Sequence, residues 1–242
     1  MMLSLRIIAH LLDYPQEMLW SQYNELISST DQCTELNAKQ QSELKQWIRS
    51  YCEQRLFDVQ AQYCALFDRG RSLSLLLFEH VHGQSRERGQ AMVDLMTQYQ
   101  NKGLELDSKE LPDYLPMYLE YLSILPLDDA VQGLEDIAPI LALLAERLRQ
   151  RESDYAALMS LLLSLSAVRL NVSSIVQKVT QEVRDDTVEA LDQVWEEEQV
   201  TFMDNSSCCD SSTQQHQRRF AHTIQPQYLD ISKLGEKHNG RS

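Results

Sequence analysis

The chain has 242 residues, 43% of them hydrophobic, enough for one sizeable core or one domain with a tail. Only seven Gly and six Pro punctuate it, and its Leu, Glu, Gln and Ala favour helices over hairpins, so the expected class is all-α. A net charge of −14 leaves no concentrated basic face for phosphate contacts, which argues against nucleic-acid binding and for a basic partner.

The first residues, MMLSLRIIAHLLDYP, lack a basic n-region and a long apolar run, so they read as a helix rather than a signal peptide. Leu5, Ile8, Leu11 and Leu12 form its inner face, and Pro15 ends it. Met18, Leu19, Tyr23, Leu26 and Ile27 predict a second helix, and Leu44, Trp47, Ile48, Tyr51 and Cys52 a third. Val59, Tyr63, Leu66 and Phe67 predict a fourth, capped by Asp58 and closed by a left-handed Gly70. The run Leu73, Leu75, Leu76, Leu77 and Phe78 is apolar all round and predicts a buried central helix. Another helix spans about 85–102 and ends at Gly103. Asp107 and Glu110 resemble a capping box, Asp113 is placed to cap the next helix, and Pro116 falls in its first turn.

Ile137, Ile140, Leu141, Leu144 and Leu148 form a further stripe, started or kinked by Pro139. Leu158, Leu161, Leu162 and Leu165 form another, and Ile175, Val176 and Val179 a last, weaker one. From 183 to 204 one Arg faces eight acids, which predicts a helical domain over 1–182 and an acidic extension over 183–242, one helix at most and then disorder. Five scattered cysteines, Cys208 and Cys209 adjacent among them, do not make a disulfide framework, so a reducing cytoplasm is expected. No run has membrane-spanning length.

Charges crowd the apolar stretch 63–121: Asp68, Arg69, Arg71, Glu79, His80, His82, Arg86, Glu87 and Arg88 must pair with one another or line a groove. A metal-dependent hydrolase built on Glu79, His80, His82 and Asp113 is one reading, weakened because histidines two apart on a helix point to different faces. A general acidic adaptor is another. No Gly-rich phosphate loop or nucleophile elbow is present, so catalysis has no positive support. Met92, Met96 and Met117 with Tyr63, Tyr99, Tyr114 and Tyr118 read first as core packing, and second as an adaptable groove for an amphipathic helix.

Tyr63-x-x-Leu66-Phe67, the run DRGRSLSLLLFEHVHGQSRERGQAMVDL, ELPDY followed by LPMYLEYL, DIAPILALLAERLRQRES and RDDTVEALDQVWEEEQVTF together resemble NarJ-type nitrate reductase assembly chaperones, within the TorD-like redox-enzyme maturation proteins. The resemblance covers most of the chain after Val59 and, before it, mainly LLDYP. Tyr114 departs from the wider pattern, where a His often follows the Asp. The resemblance implies a single helical bundle of the TorD-like type that is not an enzyme and holds no cofactor stably. It implies a cytoplasmic chaperone for the catalytic (alpha) subunit of membrane-bound nitrate reductase, including its N-terminal peptide. Its task would be to permit insertion of molybdenum cofactor and iron–sulfur cluster before docking at the membrane. Proteins of cofactor biosynthesis are further expected partners, and the chaperone itself a monomer or weak homodimer.

The expected mode is helix-in-groove recognition. Apolar anchors of the client meet Tyr63, Phe67, Leu76, Met92, Tyr99 and Met117, and its basic residues meet Asp68, Glu79, Asp113 and Glu120. Arg69, Arg71, Arg86 and Arg88 brace these carboxylates.

Overall fold

A computed structural model describes residues 2–81, 86–106, 111–168, 172–187, 189, 190 and 192. Ten α-helices lie among them: α1 (Leu3–Leu12), α2 (Glu17–Ser21), α3 (Tyr23–Asp31), α4 (Ala38–Glu53), α5 (Leu56–Phe67), α6 (Arg86–Asn101), α7 (Leu115–Ile124), α8 (Leu127–Gln150), α9 (Tyr155–Leu165) and α10 (Val172–Gln181). The described residues contain no strand, and the all-α class holds. None of their helices is long and apolar enough to cross a membrane. Met1–Leu191 forms one compact unit and Asp192–Ser242 a second, of which only Asp192 is described. The expected boundary at 182 falls inside the first unit; the disorder expected near 205–242 and the capping box at Asp107 and Glu110 lie outside the described residues.

The central element is α1, not the 73–78 run. Ser4, Leu5, Ile7, Ile8, Ala9, Leu11 and Leu12 are all buried, so α1 is enclosed around nearly its whole circumference, with α7 alongside. Helices α8 and α9 form the other tightly packed pair. Gly133 lets α7 and α8 approach: a Cβ there would meet Leu122 Cδ2 at 2.4 Å, and Tyr118 donates to the Gly133 carbonyl at 3.2 Å. Pro139 lies within α8 on its exposed side, where water can serve the freed carbonyl. The stripe from Met18 to Ile27 splits into α2 and α3 at Gln22.

Residues 71–81 are not an α-helix. Leu73, Leu75 and Leu77 are buried, as is Ser74 among them, Leu76 makes an antiparallel bridge with Tyr114, and only Leu77–Glu79 curls into a 3₁₀ turn. A buried non-helical backbone needs partners for its polar groups. They come from the chain around Asp113: Leu77 N donates to Asp113 O at 2.9 Å and Leu115 N to Leu75 O at 2.8 Å. Two expected caps also differ. The N-cap of α5 is Arg55, with Asp58 in its first turn, and the N-cap of α7 is Tyr114, while Asp113 faces inward.

Candidate functional site

The bridge between Leu76 and Tyr114 gathers the charged residues of the 63–121 stretch into one junction. Asp113 is 0% exposed; its Oδ2 accepts from Phe78 N at 3.2 Å and lies 3.6 Å from Arg88 Nη2. Arg88 also reaches Glu79 Oε1 at 3.7 Å. Asp113 Oδ1 and Arg88 Nε have no hydrogen-bond partner among the described residues. Burial pushes the Asp113 carboxyl above its ordinary range, against the lowering effect of the Phe78 amide and Arg88. A desolvated carboxylate with one open oxygen beside a cation is the kind of group found where proteins bind or switch. His80, depressed by burial, bonds through Nε2 to Ser74 O at 2.8 Å and fastens the turn from within.

Next to this junction runs a chain of hydroxyls. Tyr114 donates to Asp13 Oδ1 at 3.0 Å and shares a 3.1 Å bond with the Tyr63 hydroxyl, which also bonds Leu12 O at 3.0 Å. Tyr114 thus ties the end of α1 to α5 with a phenol. The Tyr63 and Phe67 rings meet at a tilt of 53° with centroids 4.8 Å apart, Phe67 meets Tyr155 edge-on at 5.1 Å, and Tyr155 bonds the Tyr51 hydroxyl at 3.3 Å. Trp47 lies parallel to Tyr51 at 4.7 Å. This aromatic row runs from the junction beneath α5 to the face between α4 and α9.

On the other side, residues 182–187 close over the Gly70 turn. Gly70 has φ +77, and a Cβ there would meet the Asp185 carboxyl carbon at 2.6 Å. The left-handed glycine turns successive amides toward one point, so Asp185 Oδ2 accepts from Arg71 N and Ser72 N, both at 2.7 Å, and Oδ1 accepts from Ser72 Oγ at 2.5 Å. Arg151 reaches Asp185 at 3.3 Å and Asp186 at 3.1 Å, and Arg147 grips Glu182 through two bonds at 2.7 and 2.9 Å while donating to Ser72 O. Burial alone would raise the Asp185 carboxyl, but bonds from Ser72 and Arg71 outweigh it and hold it low. The Arg147 bond holds Glu182 low, and the Arg184 bond holds Asp186 well below the carboxylate range.

The structure brings Tyr63 and Phe67 together, and Glu79, Arg88 and Asp113 together. Tyr63, Phe67, Tyr99 and Asp113 are buried; Leu76, Glu79, Met92 and Met117 are half-buried; Asp68, Arg69 and Arg71 are exposed. Tyr99 donates to Pro112 O at 2.8 Å and so holds the chain before Asp113 in place. Glu120 stands apart on α7, 3.9 Å from His10 of α1, an ion pair once that imidazole is protonated. Arg88 is the member of the expected arginine network that pairs with carboxylates; Arg71 contributes its amide, Arg69 makes no ion pair among the described residues, and the Arg86 side chain lies outside them. Sequence reasoning passed over Asp13, Ser72, Arg147, Arg151 and Asp185. A signal existed in Arg147 and Arg151, four apart on one helical face inside a run otherwise rich in Leu and Ala.

The family described as nitrate reductase delta subunit matches residues 17–160. The nitrate reductase molybdenum cofactor assembly chaperone NarJ of Escherichia coli K12 is 52% identical over 235 residues, covering 97% of this chain and all of that one, and its Escherichia coli O157:H7 counterpart matches equally. NarW of Escherichia coli K12 is 50% identical, covering 96% of this chain and 99% of that one. A solved structure from Archaeoglobus fulgidus aligns over 75% of this chain and 94% of its own, at 16% identity and a TM-score of 0.44. With the family match spanning residues 17–160 and 52% identity along 97% of its length to a relative covered in full, the chain belongs to the NarJ-type family of nitrate reductase molybdenum cofactor assembly chaperones, assembly factors and not catalysts.

Proposed function

We propose that this chain is a system-specific cytoplasmic chaperone that holds the catalytic subunit of a nitrate reductase, its N-terminal segment included, while molybdenum cofactor and the iron–sulfur cluster are inserted. The observation that carries this reading is the 52% identity spanning the whole length of a molybdenum cofactor assembly chaperone. The geometry agrees with a binder. Half-buried Leu76 and Glu79 border the pair of buried Asp113 and part-exposed Arg88, which among the described residues is incompletely satisfied. A client that engages Tyr63, Phe67, Tyr99 or Asp113 directly must first open this junction, and otherwise those four shape the surface from beneath.

The hydrolase reading meets an obstacle in its own residues: Glu79 and Asp113 face Arg88, and the His80 Nε2 is committed to Ser74 O. His82 lies outside the described residues. The test is co-purification from cells making nitrate reductase without molybdenum cofactor. Stoichiometric recovery of the catalytic subunit supports the chaperone, whereas many unrelated basic proteins in its place would favour a general acidic adaptor. Loss of molybdenum, but not of polypeptide, from nitrate reductase in cells lacking the chain would establish the insertion step.

A further inference from the structure

Residues 182–187 are fastened by charge. Glu182, Asp185 and Asp186 bond Arg147, Arg151 and the turn at Gly70. Val183, the one apolar side chain of the segment, is 92% exposed, and Arg184 pairs with Asp186 inside the segment itself. Water also reaches Glu182 and Asp185, so salt can weaken both ends of the hold. A segment with no buried apolar anchor lies at the low-cost end of local opening. Opposing release are the Arg147 and Arg151 side chains, 13% and 7% exposed, whose carboxylate partners among the described residues all come from this segment. Its departure leaves two desolvated cations behind, so the docked state is favoured but can be left.

The hold falls on the start of the 71–81 segment, and hydrogen bonds carry it from there to the Asp113 junction. Asp185 fixes the Arg71 and Ser72 amides, and Arg147 donates to Ser72 O at 2.7 Å. Ser74 N donates to Arg71 O at 3.2 Å, and Ser74 Oγ accepts from Leu76 N at 3.2 Å. Leu76 then bridges Tyr114, Leu75 O accepts from Leu115 N, Leu77 N donates to Asp113 O, and Phe78 N donates to Asp113 Oδ2. His80 sits between the two ends. Burial lowers it against its bond to Ser74 O, and it feels the charges of Arg147 and Glu182 on one side and of Glu79 on the other. The segment that covers Asp113 is thus the same one that residues 182–187 grip.

We propose that residues 182–187 are an autoinhibitory latch: docked on Gly70–Ser72 they hold 71–81 against 113–115 with Asp113 covered, and their release loosens that pairing and admits the client to the junction. Only the last step, admission of the client, rests on the chaperone reading above. Hydrogen exchange on the full chain reads the latch, and capture of the nitrate reductase catalytic subunit lacking molybdenum cofactor reads its consequence. In the double variant Glu182→Gln, Asp185→Ala, the Ser72, Leu77, Phe78 and Leu115 amides exchange at least about tenfold faster, while the α1 amides exchange as in the parent and show that the fold persists. The same variant captures the catalytic subunit at least about fivefold more tightly. Val183→Ser serves as the control and matches the parent in both measurements. Faster exchange at Ser72 alone, with Leu77, Phe78 and Leu115 unchanged, overturns the inference, because the segment then holds the turn and nothing beyond it. Equal acceleration in α1 overturns it too, since residues 182–187 are then part of the cooperative core. So does a variant that opens at all four amides and captures no more than a parent that itself captures. If parent and variant both fail to capture while the four amides open, the chaperone reading falls and the latch stands.

Discussion

Asp113 is a carboxylate without solvent access and with one oxygen unpartnered among the described residues, in a protein that could have placed an amide there. Its folded pKa is raised by burial, so its neutral form is the better tolerated one; the associated stability is present at low pH and is lost as pH rises through the raised value. At neutral pH the charge is therefore a cost, partly offset by Arg88. Asp113→Asn keeps an acceptor for the Phe78 amide and should change stability at pH 7 by less than about 1 kcal/mol, whereas Asp113→Ala removes that acceptor and should cost about 1–3 kcal/mol. Urea melts between pH 5 and 8 read this, and a loss above about 3 kcal/mol for Asn would mean that the Arg88 contact outweighs burial. Phe67 is the contrasting residue. Buried between the Tyr63 and Tyr155 rings, it should cost about 3–5 kcal/mol on truncation to Ala, seen as a lowered melting temperature before any effect on binding can be read. Helical spacing of Tyr63, Leu66 and Phe67 made their element legible in the sequence. It could not show which side they face, because an inward stripe and a ligand stripe have the same period.

Among the elements, the most instructive is the segment 71–81. A continuous apolar run can be a buried helix or a buried extended segment, and periodicity alone does not separate them. The alternation of Leu73, Leu75 and Leu77 was present, with Gly70 before it and Ser72 and Ser74 within it. The deciding partner, the chain at 113–115, lies some forty residues away and could not be read locally. Residues 182–187 are a similar case, since their acidity suggested solvent while their carboxylates are held by arginines of α8 and by the Gly70 turn. Because Glu182 and Asp185 have lowered folded pKa values, the stability they supply is present above the ordinary carboxylate range and is lost as pH falls through the lowered values. Asp185→Asn should therefore flatten the fall in stability below about pH 4. It should also speed hydrogen exchange at the Arg71 and Ser72 amides at least tenfold, with the amides of α1 unaffected. Equal exchange in parent and variant would show that Asp185 does not hold the turn.

For the whole molecule, the helical class follows from composition and stripes, because helices are local and each carries its own periodicity, caps and stops. Where the cooperative unit ends is a tertiary property, and the sequence marked a change of composition at 183 without revealing what the following carboxylates touch. A chain ended after Gln181 keeps every helix from α1 to α10 but loses Glu182, Asp185 and Asp186, while one ended after Asp192 keeps their bonds to Arg147, Arg151 and Ser72. These groups are about a third exposed or less, and hydrogen bonds to charged partners of this kind contribute about 1.5–3 kcal/mol each before screening is discounted. With roughly 2–4 °C per kcal/mol for a domain of this size, the shorter chain should melt at least about 4 °C below the longer one at pH 7, and the longer one should match the full chain. At pH 3 the unfolded chain takes up protons on these carboxylates, which the fold holds charged, so the gap between the two truncated chains should shrink. Equal melting of the two at pH 7 would put the end of the folded unit at α10 and leave residues 182–187 as ligands of the turn with no weight in the stability of the whole.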